Sequence, residues 1–344
     1  MINNPTKFLF LLTLMGGTLI STSANSWFGA WMGLEINLLS FIPLMTNSKN
    51  LFSTEASLKY FLVQALASAT LLFSVILGSL LINPSLTTSS TSTSLNILIS
   101  SSLLLKMGAA PFHFWFPGVM EGLNWINGLM LLTWQKIAPL MLVSYTLKMD
   151  IFFSMIIIIS VIIGSLGGLN QTSIRKILAY SSINHLGWLL AAMAVSESIW
   201  GVYFITYSFL SFAIIFMVNA FKLMHVNQIF SLNTINPINK FAFFITLLSL
   251  GGLPPFLGFM PKWLVIQNMV ALGNLFTITL MVVTTLMTLF YYLRTTFSAF
   301  MLTYTEILWN TPSSTNNFTY NFSLFLSILS TLGLLIISVI YSAL

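Results

Sequence analysis

The chain has 344 residues, of which 57% are hydrophobic and only 5% are charged, and its mean hydropathy is +0.95. Soluble domains do not reach such values, so the composition predicts an all-α polytopic membrane protein whose surface mostly faces lipid. The net charge of +6 comes from basic residues scattered along the chain, which argues against nucleic acid as a partner. The absence of cysteine excludes disulfides and thiolate-held metal centres in this chain.

Eleven apolar segments, each long enough to cross a bilayer, follow one another along the chain. The first follows Lys7 and precedes small residues, as a signal peptide does, but its length and the closely following second segment favour a retained hairpin. The polar tracts that begin at Asn83 and Asn310 are expected to be exposed connections. The predicted helices run approximately over residues 6–24, 26–45, 57–82, 95–117, 123–146, 150–170, 174–195, 198–223, 240–272, 275–300 and 322–342.

The fourth segment carries Lys106 inside an apolar run and then two prolines, Pro111 and Pro117. A charged lysine at the centre of a membrane helix costs about 2.5–3.5 kcal/mol, so it is expected to face a partner or a water-filled path. Because each proline removes a backbone donor, the helix should be interrupted near residues 108–111. Such breaks often line ion pathways.

The same pattern recurs in the ninth segment. At a constant shift of 144 residues, Gly108, Pro111, Phe112 and Pro117 are matched by Gly252, Pro255, Phe256 and Pro261. The second copy carries Lys262 after its break, in the first turn of a helical segment expected to start near Pro261, where the helix dipole disfavours a cation. Since the two segments are five helices apart, they enter the membrane in opposite directions, which predicts an inverted repeat with broken helices near 108–117 and 252–261.

Four ionisable residues lie well inside predicted spans, away from their ends, namely Glu35, Lys106, Lys136 and Lys262. Lysine can lose its proton when it is buried, whereas arginine stays charged, so a set of lysines suits proton exchange. A structural alternative is an ion pair between Glu35 and Lys106 that holds two helices in register. That alternative leaves the other two lysines without an acidic partner.

The three histidines do not have the spacing of a metal motif, so no metal site is predicted. His113 follows the first break and is a candidate for a polar pathway. His185 lies among serines and an asparagine on the seventh helix, where it belongs either to a helix–helix hydrogen-bond seam or to the pathway. His225 is expected in a loop.

Basic residues near the ends of the predicted spans or between them are distributed unequally between the two sides of the membrane. If the chain crosses the membrane eleven times, the side that holds the N-terminus carries eight of these residues, namely Lys7, Lys49, Lys59, Arg175, Lys176, Lys222, Lys240 and Arg294. The opposite side carries Lys148. By the positive-inside tendency, the N-terminus faces the cytoplasm or a mitochondrial matrix, and the C-terminus faces the opposite side.

The run from Lys106 to Pro117, Lys-x-Gly-x-x-Pro-Phe-His-x-Trp-x-Pro, resembles the signature of the antiporter-like subunits of respiratory complex I. Stretches around Glu35, Lys136 and Lys262, together with GGLNQTSIRKILAYSSINHLGW, resemble the animal mitochondrial branch of that family. The resemblance covers essentially the whole chain. It implies one transmembrane domain, residues 1–344, with a first half-channel at about 26–146, a second at about 150–300 and a C-terminal helix at about 322–342.

The resemblance also implies a subunit of a proton-translocating NADH:ubiquinone reductase in the inner mitochondrial membrane, with the N-terminus toward the matrix and the C-terminus toward the intermembrane space. In the family, the acid matching Glu35 pairs with the lysine matching Lys106 in the proton relay. A central lysine matching Lys136 relays protons, and a charged residue matching Lys262 serves the second half-channel. No cofactor is expected in this chain, because NADH, FMN, iron–sulfur clusters and ubiquinone belong to other subunits. The implied partners are other membrane-arm subunits of a hetero-oligomer and the phospholipid bilayer. A subunit of a cation/proton antiporter complex and a non-conducting architectural subunit are the alternatives.

Overall fold

The computed structural model describes residues 5–47, 50–81, 89–229, 237–301 and 321–333. Within these ranges the chain is built almost entirely from α-helices, with one isolated β-bridge between Ser173 and His225. The predicted all-α fold class is therefore confirmed. The chain divides into two compact units, unit 1 (Met1–Ile156) and unit 2 (Ile157–Leu344).

The helices of unit 1 are α1 (Pro5–Ser23), α2 (Trp27–Met45), α3 (Leu51–Leu81), α4 (Ser89–Met107), α5 (Trp115–Gly122), α6 (Trp125–Leu132) and α7 (Trp134–Ser144). The boundary between the units falls within α8 (Ile151–Leu169). The helices of unit 2 are α9 (Ile174–Val195), α10 (Glu197–Ala220), α11 (Pro237–Gly251), α12 (Phe259–Ala271), α13 (Leu275–Met301) and α14 (Asn321–Gly333).

The apolar helices of the described ranges coincide with the eleven predicted spans. Eight are long and apolar enough to cross a membrane, with α6 and α7 counted together, and the shorter apolar helices are Thr93–Met107, Phe241–Gly251 and Asn321–Gly333. The chain is thus a multi-pass membrane protein. The predicted connection from Asn310 and the second half of the last predicted helix lie outside the described residues.

Two helices begin earlier than the sequence predicted. α3 starts at Leu51 and α4 at Ser89, so the end of the polar tract from Asn83 is helical. Serine is compatible with a helix in lipid because its hydroxyl can donate to a carbonyl one turn earlier. Farther along α4, the hydroxyls of Ser100 and Ser102 do so at 3.0 and 2.7 Å.

The fifth predicted span, residues 123–146, is not one continuous helix. It is interrupted at Thr133, where both the N–H and the hydroxyl donate to the Leu129 carbonyl at 3.0 and 2.8 Å. Pro139 lies farther along α7, and a proline distorts the helical turn that precedes it. At the interruption itself, the Thr133 hydroxyl shares the Leu129 carbonyl with its own N–H, and such local bonds compete with regular helix geometry.

In unit 1, α1 and α2 pack with their backbones in direct contact. A Cβ on Gly17 would lie 2.9 Å from the backbone nitrogen of Asn37, and a Cβ on Gly33 would lie 2.5 Å from that of Ser21. Glycines of this kind let membrane helices approach closely. This glycine seam (Gly17, Ser21, Gly33 and Asn37) fixes α2 against α1.

In unit 2, α9 is buried along almost its whole length. Its close packing against α8 depends on two glycines, because a Cβ on Gly164 would lie 2.5 Å from the backbone nitrogen of Asn184, and one on Gly187 would lie 2.5 Å from Oγ of Ser160. The polar residues of α9, among them His185, are consequently carried into the interior of the unit.

Candidate functional site

The first predicted break lies where α4 ends, one residue before Gly108, and the chain becomes helical again at Trp115. Gly108 has a φ of +75°, and the N–H groups of Gly108 and Ala109 donate to carbonyls of the preceding turn at 3.2 and 3.1 Å. This arrangement is a Schellman helix end, which requires a residue that accepts positive φ. The break is confirmed, and Lys106 lies in the last turn before it.

Lys106 and Lys136 line the same cavity within unit 1. The space in it that is open to the centre of a water molecule is about 20 Å³, enough for about one water. Only 6% of Lys106 and 1% of Lys136 is exposed. The other polar side chains of the lining are Asn37, Tyr60, Gln64 and Gln135. A cavity with this many polar groups is suited to holding water between the two ammonium groups.

Amide side chains form hydrogen bonds between the helices that line the cavity. Gln64 Nε2 donates to the backbone carbonyl of Lys106 at 3.1 Å, and Gln135 Nε2 donates to Oδ1 of Asn37 at 3.0 Å. Asn37 belongs to the glycine seam, so the packing of α1 on α2 places its amide. Gln64 thus ties α3 to α4, and Gln135 ties α7 to α2, on the two sides of the lysines.

Lys136 lies in the first turn of α7, and its Nζ is 5.3 Å from the centroid of the Phe116 ring. An ammonium over an aromatic face is attracted by about 0.5–2 kcal/mol, with the larger values in desolvated sites. Phe116 packs against Gly108, where a Cβ would come within 3.1 Å of the ring. The first break therefore positions the ring that Lys136 faces.

Glu35 is half-buried on α2 and accepts a hydrogen bond from Oγ of Ser68 at 3.3 Å. Its other carboxylate oxygen, Oε2, is buried without a hydrogen-bond partner among the described residues. The carboxylate acts electrostatically on Lys106. Within the described ranges, however, the two side chains do not form a salt bridge, so the ion pair considered from the sequence does not hold the helices in register.

His113 lies between α4 and α5 and is 5% exposed. Its ring packs on Phe114 with 4.4 Å between centroids, and its Nδ1 has no hydrogen-bond partner in the described part of the chain. His113 does not belong to the lining of the lysine cavity. The structure does not bring it to the lysines, and its part in a polar pathway stays a prediction.

The second predicted break, in unit 2, is also confirmed. α11 ends at Gly251 and α12 begins at Phe259, with Gly252 between them at a φ of +83°. The second segment starts two residues earlier than the expected start at Pro261. Lys262 therefore completes the first turn of α12.

Lys262 is 5% exposed, and its Nζ donates to the carbonyl of Gly251 at 2.8 Å. In a continuous helix this carbonyl would accept from residue 255, but Pro255 has no N–H. The ammonium lies at the C-terminal end of α11, where the helix dipole favours a cation. The sequence-based argument placed the ammonium group at the N-terminal end of its own helix, α12, where the dipole disfavours it. The side chain instead extends back across the break to the C-terminal end of α11.

His185 lies in the interior of unit 2, with Nδ1 2.9 Å from the hydroxyl of Tyr203. Tyr203 is on α10, so this contact joins α9 to α10, as the seam interpretation expects. The ring centroid of His185 is 5.0 Å from that of Tyr207. A role in a proton pathway stays a prediction for His185. His225 is exposed in the connection after α10.

The sequence-based search concentrated on charges and missed the amides Asn37, Gln64 and Gln135. A signal was available, because an amide inside an apolar span needs a hydrogen-bonding partner. No group of three or more metal-binding side chains occurs in the part of the chain that the structure describes.

Comparison with known proteins shows the family. The sequence model of the family described as "NADH:quinone oxidoreductase/Mrp antiporter, TM" matches residues 24–288. The chain belongs to this family. Over 335 residues it is 59% identical to NADH-ubiquinone oxidoreductase chain 2 of Anopheles gambiae, and over 340 residues it is 46% identical to the protein of the same name from Locusta migratoria. Each comparison covers 97% of both chains.

Solved structures agree with this assignment to the NADH:quinone oxidoreductase/Mrp antiporter family. A chain of respiratory complex I from Thermus thermophilus with bound aureothin is similar, with a TM-score of 0.84 and 26% identity over 96% of this chain and 78% of that chain. A chain of the Mrp complex from a Dietzia species has a TM-score of 0.79 at 17% identity, over 94% of this chain and 74% of that chain. The second likeness concerns the fold alone.

Proposed function

We propose that this family member is a membrane-arm subunit of the NADH:ubiquinone oxidoreductase of the inner mitochondrial membrane and moves protons through its buried lysines. The support is its 59% identity, over 97% of both chains, to an insect protein named as chain 2 of that oxidoreductase. Its partners are then the other membrane-arm subunits of a hetero-oligomer and the lipid around them. NADH, FMN, iron–sulfur clusters and ubiquinone act in other subunits, and this chain has no cysteine that could hold a cluster.

The observation that carries the proposal is the cavity that Lys106 and Lys136 share. Two ammonium groups on one cavity repel each other, so the arrival of a proton at one favours its departure from the other. Water between them, held by the amide groups, can hand the proton on. Glu35 places an opposite charge near Lys106, and a rearrangement of this carboxylate changes how firmly Lys106 holds its proton.

Unit 2 supplies the second half of the proposed path, with Lys262 as its protonatable group. The proposed half-channels span residues 26–146 and 150–300, and the last helix spans 322–342. They form an inverted repeat whose N-terminus faces the matrix and whose C-terminus faces the intermembrane space. Support comes from the two broken helices, whose left-handed glycines Gly108 and Gly252 are 144 residues apart.

The experiment that tests this function replaces Lys136 by methionine or arginine in the intact complex. Arginine keeps the charge but does not release a proton. We expect both variants to lower coupled NADH oxidation by about 100-fold or more, the loss typical of a positioned proton-transfer group. The ratio of protons moved to electrons transferred is measured alongside the rate.

The matched control is Lys59→Met, which removes an exposed lysine that pairs with Glu55 one turn away on α3. It should leave the ratio and the rate unchanged. Wild-type coupling in both Lys136 variants would contradict the proposed relay.

One observation favours an architectural role at a single residue. Lys262 donates to a backbone carbonyl, which is the contact that a helix anchor needs. An anchor requires the charge alone, whereas a relay requires proton release, so arginine at position 262 distinguishes the two roles.

A further inference from the structure

The connection that follows α10 in unit 2 is fixed to the beginning of α9 by hydrogen bonds. The N–H of Ile174 donates to the carbonyl of Met224 at 3.1 Å, and the N–H of Val226 donates to the carbonyl of Thr172 at 3.0 Å. The N–H of Met224 donates to Oε1 of Gln228 at 2.6 Å. The main chain of Met224 is therefore held on both sides, and its side chain starts from a fixed place beside α9.

The sulfur of Met224 lies against a cation. Its Sδ accepts a hydrogen bond from Nη2 of Arg175, in the first turn of α9, at 2.9 Å. A thioether is only a weak hydrogen-bond acceptor, so the contact adds little to the stability of the connection. It does, however, place a charged donor beside a nucleophilic sulfur atom.

Met224 also differs from other exposed methionines in its surroundings. Met32, Met155 and Met287 are exposed on the membrane helices α2, α8 and α13, whereas Met224 is 38% exposed in a connection after the end of α10. Oxidation of a thioether by a peroxide separates charge on the way to the product, which a medium of low dielectric disfavours. The sulfur of Met224 is thus the better placed of the four for reaction with an oxidant dissolved in water.

We propose that Met224 is a reversible oxidation site, with hydrogen peroxide as the oxidant and Arg175 as the group that assists it. A lone pair of Sδ attacks one peroxide oxygen, so an S–O bond forms while the O–O bond breaks. The sulfur loses two electrons and the peroxide gains them. The departing oxygen takes the remaining proton of the transferred oxygen, and the products are methionine sulfoxide and one water. The guanidinium donates to the departing oxygen, where negative charge develops.

The sulfoxide does not fit the contact that the thioether makes. Sδ and Nη2 are 2.9 Å apart, which is the length of one hydrogen bond, so a new oxygen lies between them only if the sulfur retreats. The oxidised side chain is also polar where the original one is apolar. Oxidation of Met224 therefore loosens the hydrogen bonds of Ile174 and Val226 that fix the connection to α9. Methionine sulfoxide reductases reverse the change.

The test treats the intact wild-type complex with hydrogen peroxide and follows each methionine by peptide mass spectrometry. We expect Met224 to be oxidised about tenfold faster than Met155, which is 54% exposed on α8, since a donor beside water is worth less than the ~100-fold of a water-excluded one. Amide hydrogen exchange of Ile174 and Val226 should become faster after oxidation. A methionine sulfoxide reductase should restore the original exchange rates.

Two matched variants examine the assisting cation. Arg175→Gln should slow the oxidation of Met224 by about tenfold, because the donor beside the sulfur loses its charge. Lys176→Gln removes the neighbouring charge in the same turn of α9 and should leave the oxidation rate unchanged. Met224→Leu keeps the side-chain volume, so peroxide should no longer alter the exchange of Ile174 and Val226.

Oxidation of Met224 no faster than that of Met155 would overturn the site. Rapid oxidation without faster exchange at Ile174 and Val226 would overturn the loosening, and an unchanged rate in Arg175→Gln would overturn the assistance. If Arg175→Gln does not assemble, the comparison of the two methionines in the wild type decides. The site uses none of the buried lysines, so each of these results leaves the proposed function standing.

Discussion

The three buried lysines have different neighbours, which determine how each can exchange a proton. Lys106 and Lys136 open onto a polar cavity, whereas Lys262 donates to the carbonyl of Gly251. A backbone carbonyl accepts a hydrogen bond but does not take up the proton. Lys262 must therefore exchange its proton with a group other than its present acceptor.

Substitution of Lys262 separates charge from proton exchange at this residue. Lys262→Arg keeps a cation that can still donate to the carbonyl of Gly251, but it cannot release a proton at working pH. We expect it to impair coupled NADH oxidation about as severely as Lys262→Met, with both measured per assembled complex. An arginine variant that pumps like the wild type beside a failing methionine variant would show that Lys262 is an anchor.

The charged residues could be identified from the sequence because a lysine within an apolar span is conspicuous wherever its partner lies. Their contacts could not be identified in the same way. Gln135 and Asn37 are 98 positions apart, and their hydrogen bond depends on how α2 and α7 pack. The direction of the Lys262 side chain likewise follows from the geometry of the break, which the spacing of residues does not specify.

At the scale of the helices, the two breaks were predictable because proline and glycine act on their own turn. Pro111 and Pro255 remove N–H groups wherever the surrounding helices lie. The early start of α4 was not predictable from composition, since its Ser- and Thr-rich beginning is typical of a loop. Serine hydroxyls in a helix can nevertheless donate to the helix's own carbonyls, as those of Ser100 and Ser102 do. A serine-rich stretch is therefore compatible with a membrane helix.

The left-handed glycine that follows α11 can be tested against a glycine in the same backbone conformation. A Cβ on Gly252 would lie 2.9 Å from Nζ of Lys262, whereas Gly273, at a φ of +78°, has no atom within 4 Å of such a Cβ. Alanine costs about 1–2 kcal/mol in the left-handed conformation at either position. We expect Gly252→Ala alone to displace Lys262 and lower coupled turnover, measured per assembled complex. Equal turnover in the two variants would refute this.

The glycine seam between α1 and α2 allows an even closer comparison. A Cβ on Gly17 would lie 2.9 Å from the backbone nitrogen of Asn37, but the adjacent Gly16 has no atom within 4 Å. We expect Gly17→Ala to destabilise unit 1 by about 1–3 kcal/mol through overpacking, and Gly16→Ala to be tolerated. The thermal unfolding midpoint and the yield of assembled complex report the difference. Indistinguishable variants would show that α1 can shift away from α2 at little cost.

At the scale of the whole molecule, the charge asymmetry predicts the orientation of the chain. Of the basic residues near the ends of the predicted spans or between them, eight are assigned to the N-terminal side and one, Lys148, to the other. The connection at residues 310–321 should therefore face the matrix, on the side that the positive-inside tendency assigns to the N-terminus. Labelling of a cysteine placed there by an impermeant reagent from the intermembrane side of intact membranes would falsify this orientation.

At each of the two breaks, a proline leaves one backbone carbonyl without the N–H that would bind it in a continuous helix. Pro111 and Pro255 come four residues after Met107 and Gly251, so neither carbonyl has an intrahelical partner. In unit 2, the Nζ of Lys262 donates a hydrogen bond to the carbonyl of Gly251. The residue 144 positions before Lys262 is Gly118, which has no side chain to do the same. The two breaks share one motif, but in unit 2 a lysine of the following helix binds the carbonyl, and in unit 1 the matching glycine cannot bind it. The two halves are therefore not interchangeable.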